Sequence, residues 1–379
     1  MAEKAKADGK KIYHLNIGQP DIETPKEFFE VVRDFSAKTL SYAPSPGLPV
    51  LLDAVQKYYG KIGVVLDDGD ILITAGGSEA LLITLLTVLD QGAEILVPEP
   101  FYSNYTNFAT STGGKICPVP TDPENGYRYA DKALLEAHIN ENTRAILLNN
   151  PGNPTGVLLT REEMQVLVDV AKEHDLYLIA DEVYREFCYT DDGEIPSFGQ
   201  FPGIEENLII IDSVSKRFSA CGARIGCLIT KNKEMQTAIL KFCQSRLSVA
   251  TLDQVGAAAL YSVSDDFYKA CNAEYRRRRD TVVSELRKIP GIKFEEPKGA
   301  FYLMVSLPVD DTDKFQRWLL EEFHDNMETV MFAPGAAFYA TPRKGLNEAR
   351  IAYVLNCDDL TRAIELLGKA IVRYQKEMM

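Results

Sequence analysis

Lys216 is the residue around which a reaction would be built. It stands in Ser213-Val-Ser-Lys-Arg-Phe-Ser-Ala-Cys-Gly-Ala-Arg224, after the β-branched run Leu208-Ile-Ile-Ile-Asp212 and before a second apolar stretch, Arg224 to Thr230. Both flanks read as buried strands. At the mouth of a buried sheet an ammonium is desolvated, which favours the neutral amine. A neutral amine attacks carbonyls and forms Schiff bases. Ser213, Ser215 and Arg224 are suited to hold a phosphate beside it, Arg224 as a bidentate fork. The competing role is a solvated lysine in a Ser/Gly-rich loop, so the rest of the chain must decide.

A carboxylate is the second candidate. Ala180-Asp181-Glu182-Val183-Tyr184 places Asp181 at the end of an apolar strand. Burying a carboxylate without a cationic partner is costly, and a protonated pyridine nitrogen is a suitable partner. Such an acid keeps the ring electron-accepting, and with a nearby amine and phosphate-holding groups it points to pyridoxal phosphate. Tyr184, on the same turn, is placed to reach a ring hydroxyl. Capping a following helix is the other role open to Asp181.

Four further features offer contacts. Gly77-Ser78-Glu79 opens a helix, where free amides bind anions and glycine allows close approach. Tyr102 has a face to stack on a ring, or belongs to the core. Asn149-Asn-Pro-Gly-Asn-Pro-Thr-Gly156 is a turn-rich loop carrying three asparagines. Arg350 lies in an apolar strand, where arginine needs either an ion pair or a ligand carboxylate. Neither Gly-x-Gly-x-x-Gly nor Gly-x-x-x-x-Gly-Lys-Ser/Thr occurs, so dinucleotide and P-loop chemistry are unsupported.

These groups need a scaffold, and the hydrophobic pattern supplies one. Strands are expected at Ile71–Thr74, Glu94–Val97, Lys115–Val119, Arg144–Leu148 and Tyr177–Ala180, with helices at Ala80–Leu89 and Arg161–His174 between them. Alternating strands and helices give an α/β fold with a mainly parallel sheet covered on both faces. Functional groups gather at strand carboxyl ends in such sheets, and Gly77, Tyr102, Asn149, Asp181 and Ser213 each follow a strand. Upstream, Thr24 is expected as an N-cap, Pro25 as the first residue of a helix to Thr39, and Pro49–Gly60 as a second helix. Downstream, a helix from Lys269 to Lys288, strands at Lys293–Pro297, Gly299–Val305 and Ala349–Val354, and helices at Asp313–Asn326 and Asp358–Lys376 suggest a smaller α+β domain. The division is 40–275 for the large domain and 1–39 plus 276–379 for the small one with an N-terminal arm.

Composition narrows the partners. The chain has 379 residues and a net charge of −14, which disfavours nucleic acid. The basic run Arg276 to Arg279 lies in a charge-mixed helical stretch and reads as a solvated or interdomain face. Seven scattered cysteines without a Cys-x-x-Cys pair fit reduced thiols in the cytoplasm. No metal-ligand cluster is expected. The N-terminus lacks an apolar signal core, and the longest apolar run, Ala80 to Leu89, is too short to span a bilayer.

Taken in order and spacing, Asn153-Pro-Thr-Gly156, Asp181-Glu-Val-Tyr184, Ser213-Val-Ser-Lys216 and Arg224 resemble the class I aminotransferases of pyridoxal-phosphate fold type I, and within them the aspartate aminotransferases. Ile17-Gly-Gln-Pro-Asp21, Tyr42 to Gly47, Gly299-Ala-Phe-Tyr302 and Arg350 extend the resemblance over nearly the whole chain. It implies that Lys216 holds the cofactor covalently and shuttles the substrate's α-proton. Asp181 would pair with the ring nitrogen, Tyr184 and Asn153 with the ring oxygen, and Tyr102 would stack on the ring. Gly77, Ser78, Glu79, Ser213 and Arg224 would hold the phosphate, with Tyr42 reaching in from a second subunit. Gly18, Asn153 and Arg350 would bind the substrate carboxylate. The implied protein is a cytoplasmic homodimer with shared sites that passes the amino group of an L-amino acid, aspartate first, to 2-oxoglutarate by a ping-pong route.

Two departures bear on specificity. Ser78 stands where some members carry a lysine that binds a dicarboxylic side chain, and Tyr102 stands where many aspartate enzymes have tryptophan. Arg246 is a candidate for a distal carboxylate, against a structural role. An aromatic or alanine donor is the runner-up. Carbon–sulfur lysis or decarboxylation on the same scaffold is a second alternative. A cofactor-binding regulator is the third, and it lacks a basic module here.

Overall fold

A computed structural model describes residues 1–190 and 196–378. The chain opens with α1 (Ala2–Ala7), β1 (Lys11–His14), α2 (Lys26–Arg33) and α3 (Pro49–Lys61). The alternating region follows as β2 (Ile71–Thr74), α4 (Gly77–Val88), β3 (Glu94–Pro98), α5 (Asn104–Ser111), β4 (Lys115–Val119), α6 (Lys132–Glu136), β5 (Thr143–Asn149), α7 (Arg161–Glu173) and β6 (Tyr177–Asp181). Next come β7 (Leu208–Ser213), the short α8 (Val214–Arg217), β8 (Gly226–Ile229), α9 (Lys233–Ser245), α10 (Thr251–Leu260) and α11 (Asp265–Leu286). The last stretch carries β9 (Tyr302–Ser306), α12 (Thr312–Glu321), β10 (Glu328–Met331), β11 (Ala333–Pro334), β12 (Glu348–Ala352) and α13 (Cys357–Met378).

Seven strands form one sheet in the order β2-β8-β7-β6-β5-β3-β4. All pairs are parallel except those made by β8, which runs antiparallel to both β2 and β7. The strand sequences explain its burial. Along β5, Ala145 and Leu147 join the core on one face, while Ile146 and Leu148 join the core on the other. Along β7, Ile209 and Ile211 alternate with Leu208 and Ile210 in the same way. A strand with both faces covered reads as a continuous apolar run, which is how these segments appear in sequence. The fold class is therefore the expected α/β architecture.

A second core gathers on β9, β12, α12 and α13 around Phe301, Phe315, Tyr353 and Leu367. There β9, β12 and β11 form an antiparallel three-stranded sheet. Strand β1 pairs parallel with β10, Lys11 opposite Glu328, so the N-terminal segment is built into this second body.

Several expectations are corrected. Pro25 caps α2 from outside, and the helix stops at Arg33 rather than Thr39. The Thr24 hydroxyl donates to the Ser219 carbonyl at 2.8 Å instead of capping. Lys293–Pro297 forms no strand, only one isolated bridge from Lys293 to Ser306. The strand after the lysine starts at Gly226, because Arg224 takes a left-handed conformation at φ 53°. Helix α12 ends at Glu321, short of Asn326, whose φ is 54°.

Candidate active site

Strand ends β2, β5, β6 and β7, with the loop after β3, converge on one cavity of about 380 Å³. Gly77, Ser78, Tyr102, Asn153, Asp181, Tyr184, Ser213, Lys216 and Arg224 line it, together with Gly18 and Arg350 from outside the seven-stranded sheet. Of the remaining expected residues, Glu79 and Tyr42 are not among its walls.

Lys216 projects from α8, directly after β7. Its Nζ donates to the Gly18 carbonyl at 2.9 Å and lies 4.0 Å from Cys221 Sγ. Burial holds its pKa below the ordinary lysine range, and Arg224 and Arg350 act in the same direction, against Cys221 and Asp181. Gly18 must be glycine: a Cβ there would fall 1.9 Å from Tyr302 Oη.

Asp181 is 5% exposed. Its Oδ2 accepts from Tyr105 Oη at 2.9 Å and its Oδ1 from the Val183 N–H at 3.4 Å. Desolvation pushes its pKa up to about 6, against the pull of those two bonds. Among the described residues it has no ion pair, so it is a buried acid awaiting a cation. Tyr105 also meets Tyr102 edge to face, with ring centroids 5.5 Å apart. One residue thus supports both the acid and the stacking aromatic.

The same cavity holds a buried cation. Arg350, on β12, is 8% exposed. Its Nη1 donates to Asn153 Oδ1 at 3.0 Å and its Nη2 to the Asn16 carbonyl at 2.8 Å. Its guanidinium lies 4.6 Å over the Tyr302 ring. No carboxylate pairs with it among the described residues, and its Nε has no partner. Asn153 Nδ2 donates to Tyr184 Oη at 3.4 Å, and Tyr184 and Tyr302 share a hydrogen bond of 3.0 Å.

An anion cradle completes the cavity. Helix α4 begins at Gly77, and no side chain caps its first turn. Gly76 has φ 80°, and a Cβ on it would strike Arg224 Nη2 at 2.5 Å. A Cβ on Gly226 would meet the Gly76 carbonyl carbon at 2.6 Å. The two backbones therefore lie against each other, and Arg224 rests beside the helix N-terminus with Nη2 donating to the Ala75 carbonyl at 3.4 Å. Uncapped amides, a guanidinium and the hydroxyls of Ser78 and Ser213 suit a phosphate.

Two candidates face elsewhere. Glu79 turns its carboxylate to the Ala75 N–H, at 2.7 Å, and to Arg246 Nε, at 3.0 Å. Arg246 also donates to the Ile73 carbonyl at 2.6 Å, so it is tied into the scaffold. Tyr42 is 80% exposed on its own chain. Sequence reasoning assigned no role to Tyr105 or Tyr302. The three-residue spacing from Tyr102 to Tyr105 at a helix start was the available signal for the first.

Pyridoxal phosphate fits what is present: a buried amine whose pKa is lowered by burial, a buried acid without an ion pair among the described residues, an uncapped helix end with a guanidinium, and an aromatic wall. The comparisons agree. The sequence matches the family "Aminotransferase class I and II" over residues 10–367. It is 33% identical over 368 residues to an aspartate aminotransferase of Pyrococcus horikoshii, covering 95% of this chain and 90% of that one. It is 31% identical to the aromatic-amino-acid aminotransferase 2 of Thermococcus litoralis, covering 95% and 92%. The fold superposes on the Thermus thermophilus aspartate aminotransferase solved with maleate, with TM-score 0.88, 29% identity and coverage of 97% and 94%.

The chain belongs to the class I and II aminotransferases, on the fold type I scaffold. Its activity is that of a transaminase, and its cofactor is pyridoxal phosphate.

Proposed function

We propose that the chain transfers the α-amino group of L-aspartate to 2-oxoglutarate, in two half-reactions at one site. The observation that carries this is Arg350, a buried guanidinium with an unpartnered Nε that lines the same cavity as Lys216 and Asp181. An α-carboxylate is the ligand its fork fits. Support for aspartate comes from the relatives' names and from the maleate, a dicarboxylate, bound by the Thermus protein.

Pyridoxal phosphate, when bound, supplies the carbonyl that takes up the amino group and a ring that delocalises the electrons of the α-carbon. The chain's own residues do the rest. Lys216 would anchor the cofactor and then carry the α-proton, for which a lowered pKa is an advantage. Asp181 would pair with the ring nitrogen and keep it protonated. Tyr102 stacks on the ring; Tyr184 and Asn153 bond its oxygen. Gly77, Ser78, Ser213 and Arg224 grip the phosphate, Glu79 through its backbone N–H only. Arg350, Asn153 and the Gly18 backbone would bind the substrate's α-carboxylate.

The protein acts as a cytoplasmic homodimer in this reading, with the exposed Tyr42 reaching the partner's phosphate. Residues 40–275 act as the cofactor domain, and 1–39 plus 276–379 close over the substrate and exclude water. No described helix is long and apolar enough to cross a membrane.

One observation favours a second reading, an aromatic or other uncharged donor. Among the described lining residues the cations are Lys216, Arg224 and Arg350, and Arg246 is held by Glu79. A distal carboxylate therefore finds no further free cation among the described lining residues. The test mixes the loaded enzyme with single amino acids. Aspartate should bleach the visible absorbance of the bound cofactor and 2-oxoglutarate should restore it. Bleaching by tyrosine or phenylalanine but not aspartate selects the second reading. Release of ammonia, pyruvate or carbon dioxide without recovery refutes transamination.

A further inference from the structure

Behind the cavity lies a buried cluster of charges that touches nothing bound in it. Asp212 is fully buried and Arg217 nearly so. Arg217 Nη2 donates to both Asp212 oxygens, at 3.0 and 2.9 Å. Its Nε lies 3.7 Å from Glu186 Oε1, and its guanidinium rests 4.1 Å over the Tyr58 ring. Asp212 also accepts from Tyr59 Oη at 3.0 Å and from the Ser213 N–H at 2.7 Å. On its far side Arg185 Nη2 stands 3.8 Å from Asp212, and Arg185 Nη1 2.6 Å from Glu182. Glu182 in turn accepts from Ser197 Oγ at 2.9 Å and the Phe198 N–H at 2.9 Å. None of these five charged residues lines the cavity.

Their places in the chain are the informative part. Glu182 follows Asp181, Arg217 follows Lys216, and Asp212 precedes Ser213. Each is the immediate neighbour of a residue that does line the cavity. The lysine's own support is slight: α8 has four residues, too few to persist alone, and Ser219 just beyond it sits at φ 50°. Something outside α8 must fix it. Buried ion pairs rarely stabilise a fold more than apolar residues of the same shape, and their best-attested use is to select one arrangement.

We propose that Arg217 is a positioning residue for Lys216. With Nη2 shared between the two Asp212 oxygens across the base of the lysine turn, and joined through Arg185 and Glu182 to the end of β6, it fixes where the amine stands relative to Asp181. The amine must meet both the cofactor carbonyl and the substrate's α-proton, so a small displacement lowers the rate without weakening substrate binding. This rests on the reading of Lys216 as the cofactor lysine.

The test uses the full chain, loaded with pyridoxal phosphate and freed of it. The double variant Asp212→Asn with Arg217→Met removes both charges and nearly conserves both volumes. Arg217→Lys keeps the charge but loses the planar guanidinium that lies over Tyr58. The double variant should melt within roughly 5 °C of the parent and yet lose about 10- to 100-fold in kcat, with KM within about two-fold. In the cofactor-free chain, reductive methylation of Lys216 by formaldehyde and cyanoborohydride, read on its peptide by mass spectrometry, should change rate by about three-fold or more as the amine's burial changes. Arg217→Lys should fall between parent and double variant. A folded double variant with parental kcat and parental labelling overturns the proposal. So does loss of the fold in both variants, which would make the cluster a folding element alone. Absence of a pyridoxyl group on Lys216 after borohydride treatment of the loaded parent would instead defeat the underlying reading, whatever the variants do.

Discussion

Tyr105→Phe removes one oxygen from the site and leaves the ring that braces Tyr102. The lost group is the donor to Asp181 Oδ2, at 2.9 Å between two buried side chains. A hydrogen bond to a charged group contributes about 1.5–3 kcal/mol, and one pKa unit corresponds to about 1.4 kcal/mol. The Asp181 carboxyl should therefore rise by about one to two units from its starting value of about 6. The sign in the cofactor-free chain follows from linkage. An acid whose folded pKa lies above its unfolded one binds more protons when folded, so stability falls as pH rises between the two values. In the parent that loss is complete just above pH 6. In Tyr105→Phe it should continue to roughly pH 7–8. Denaturant midpoints of both chains from pH 4 to pH 9 measure the difference, and groups common to both cancel. The variant should be close to the parent at pH 4 and weaker by about 1.5–3 kcal/mol at pH 8. A difference that does not vary with pH would show that Tyr105 merely packs, and would refute the argument.

Three other outcomes are expected. Lys216→Ala should abolish turnover by at least about 10³-fold, and its borohydride-treated peptide should carry no pyridoxyl mass. Arg350→Met should lower kcat/KM for the amino-acid substrate by about 10- to 100-fold, equivalent to the loss of a charge-assisted pair, with cofactor retention unchanged by absorbance. Gly18→Ala drives a methyl into Tyr302 Oη. It should displace the carbonyl that Lys216 faces and lower amine transfer, while the melting temperature shifts by only a few degrees, roughly 2–5 °C.

The sheet was readable because its strands are buried on both faces. Leu208 to Asp212 and Tyr177 to Ala180 leave few other ways to hide so many branched side chains. The carboxyl-end rule then placed Asp181, Tyr102 and Ser213 on one cavity before any coordinates. The short strands β1, β10 and β11 were not readable. Lys11-Ile-Tyr-His has no alternation to distinguish it from a loop, and only its pairing with Glu328–Met331 makes it a strand. Thr24 looked like a cap because its hydroxyl had no visible rival, whereas the Ser219 carbonyl, remote in sequence, takes that hydrogen bond. The Glu79 side chain is a related case. Its position near the start of α4 suggested anion chemistry, but Arg246, from the end of α9, draws its carboxylate away. Tyr105 needed the fold, since only packing reveals which acid its hydroxyl meets.

Strand β8 returns beside β7 in the opposite direction, with Gly226 paired to Ser213. Lys216 and Arg224 are therefore two points on a single closed loop whose ends are stitched side by side. An insertion anywhere between them would alter the amine's reach and the guanidinium's aim together, and no adjustment elsewhere would separate the two. Lengthening the connection after β4, at the far margin of the sheet, would leave both spans untouched.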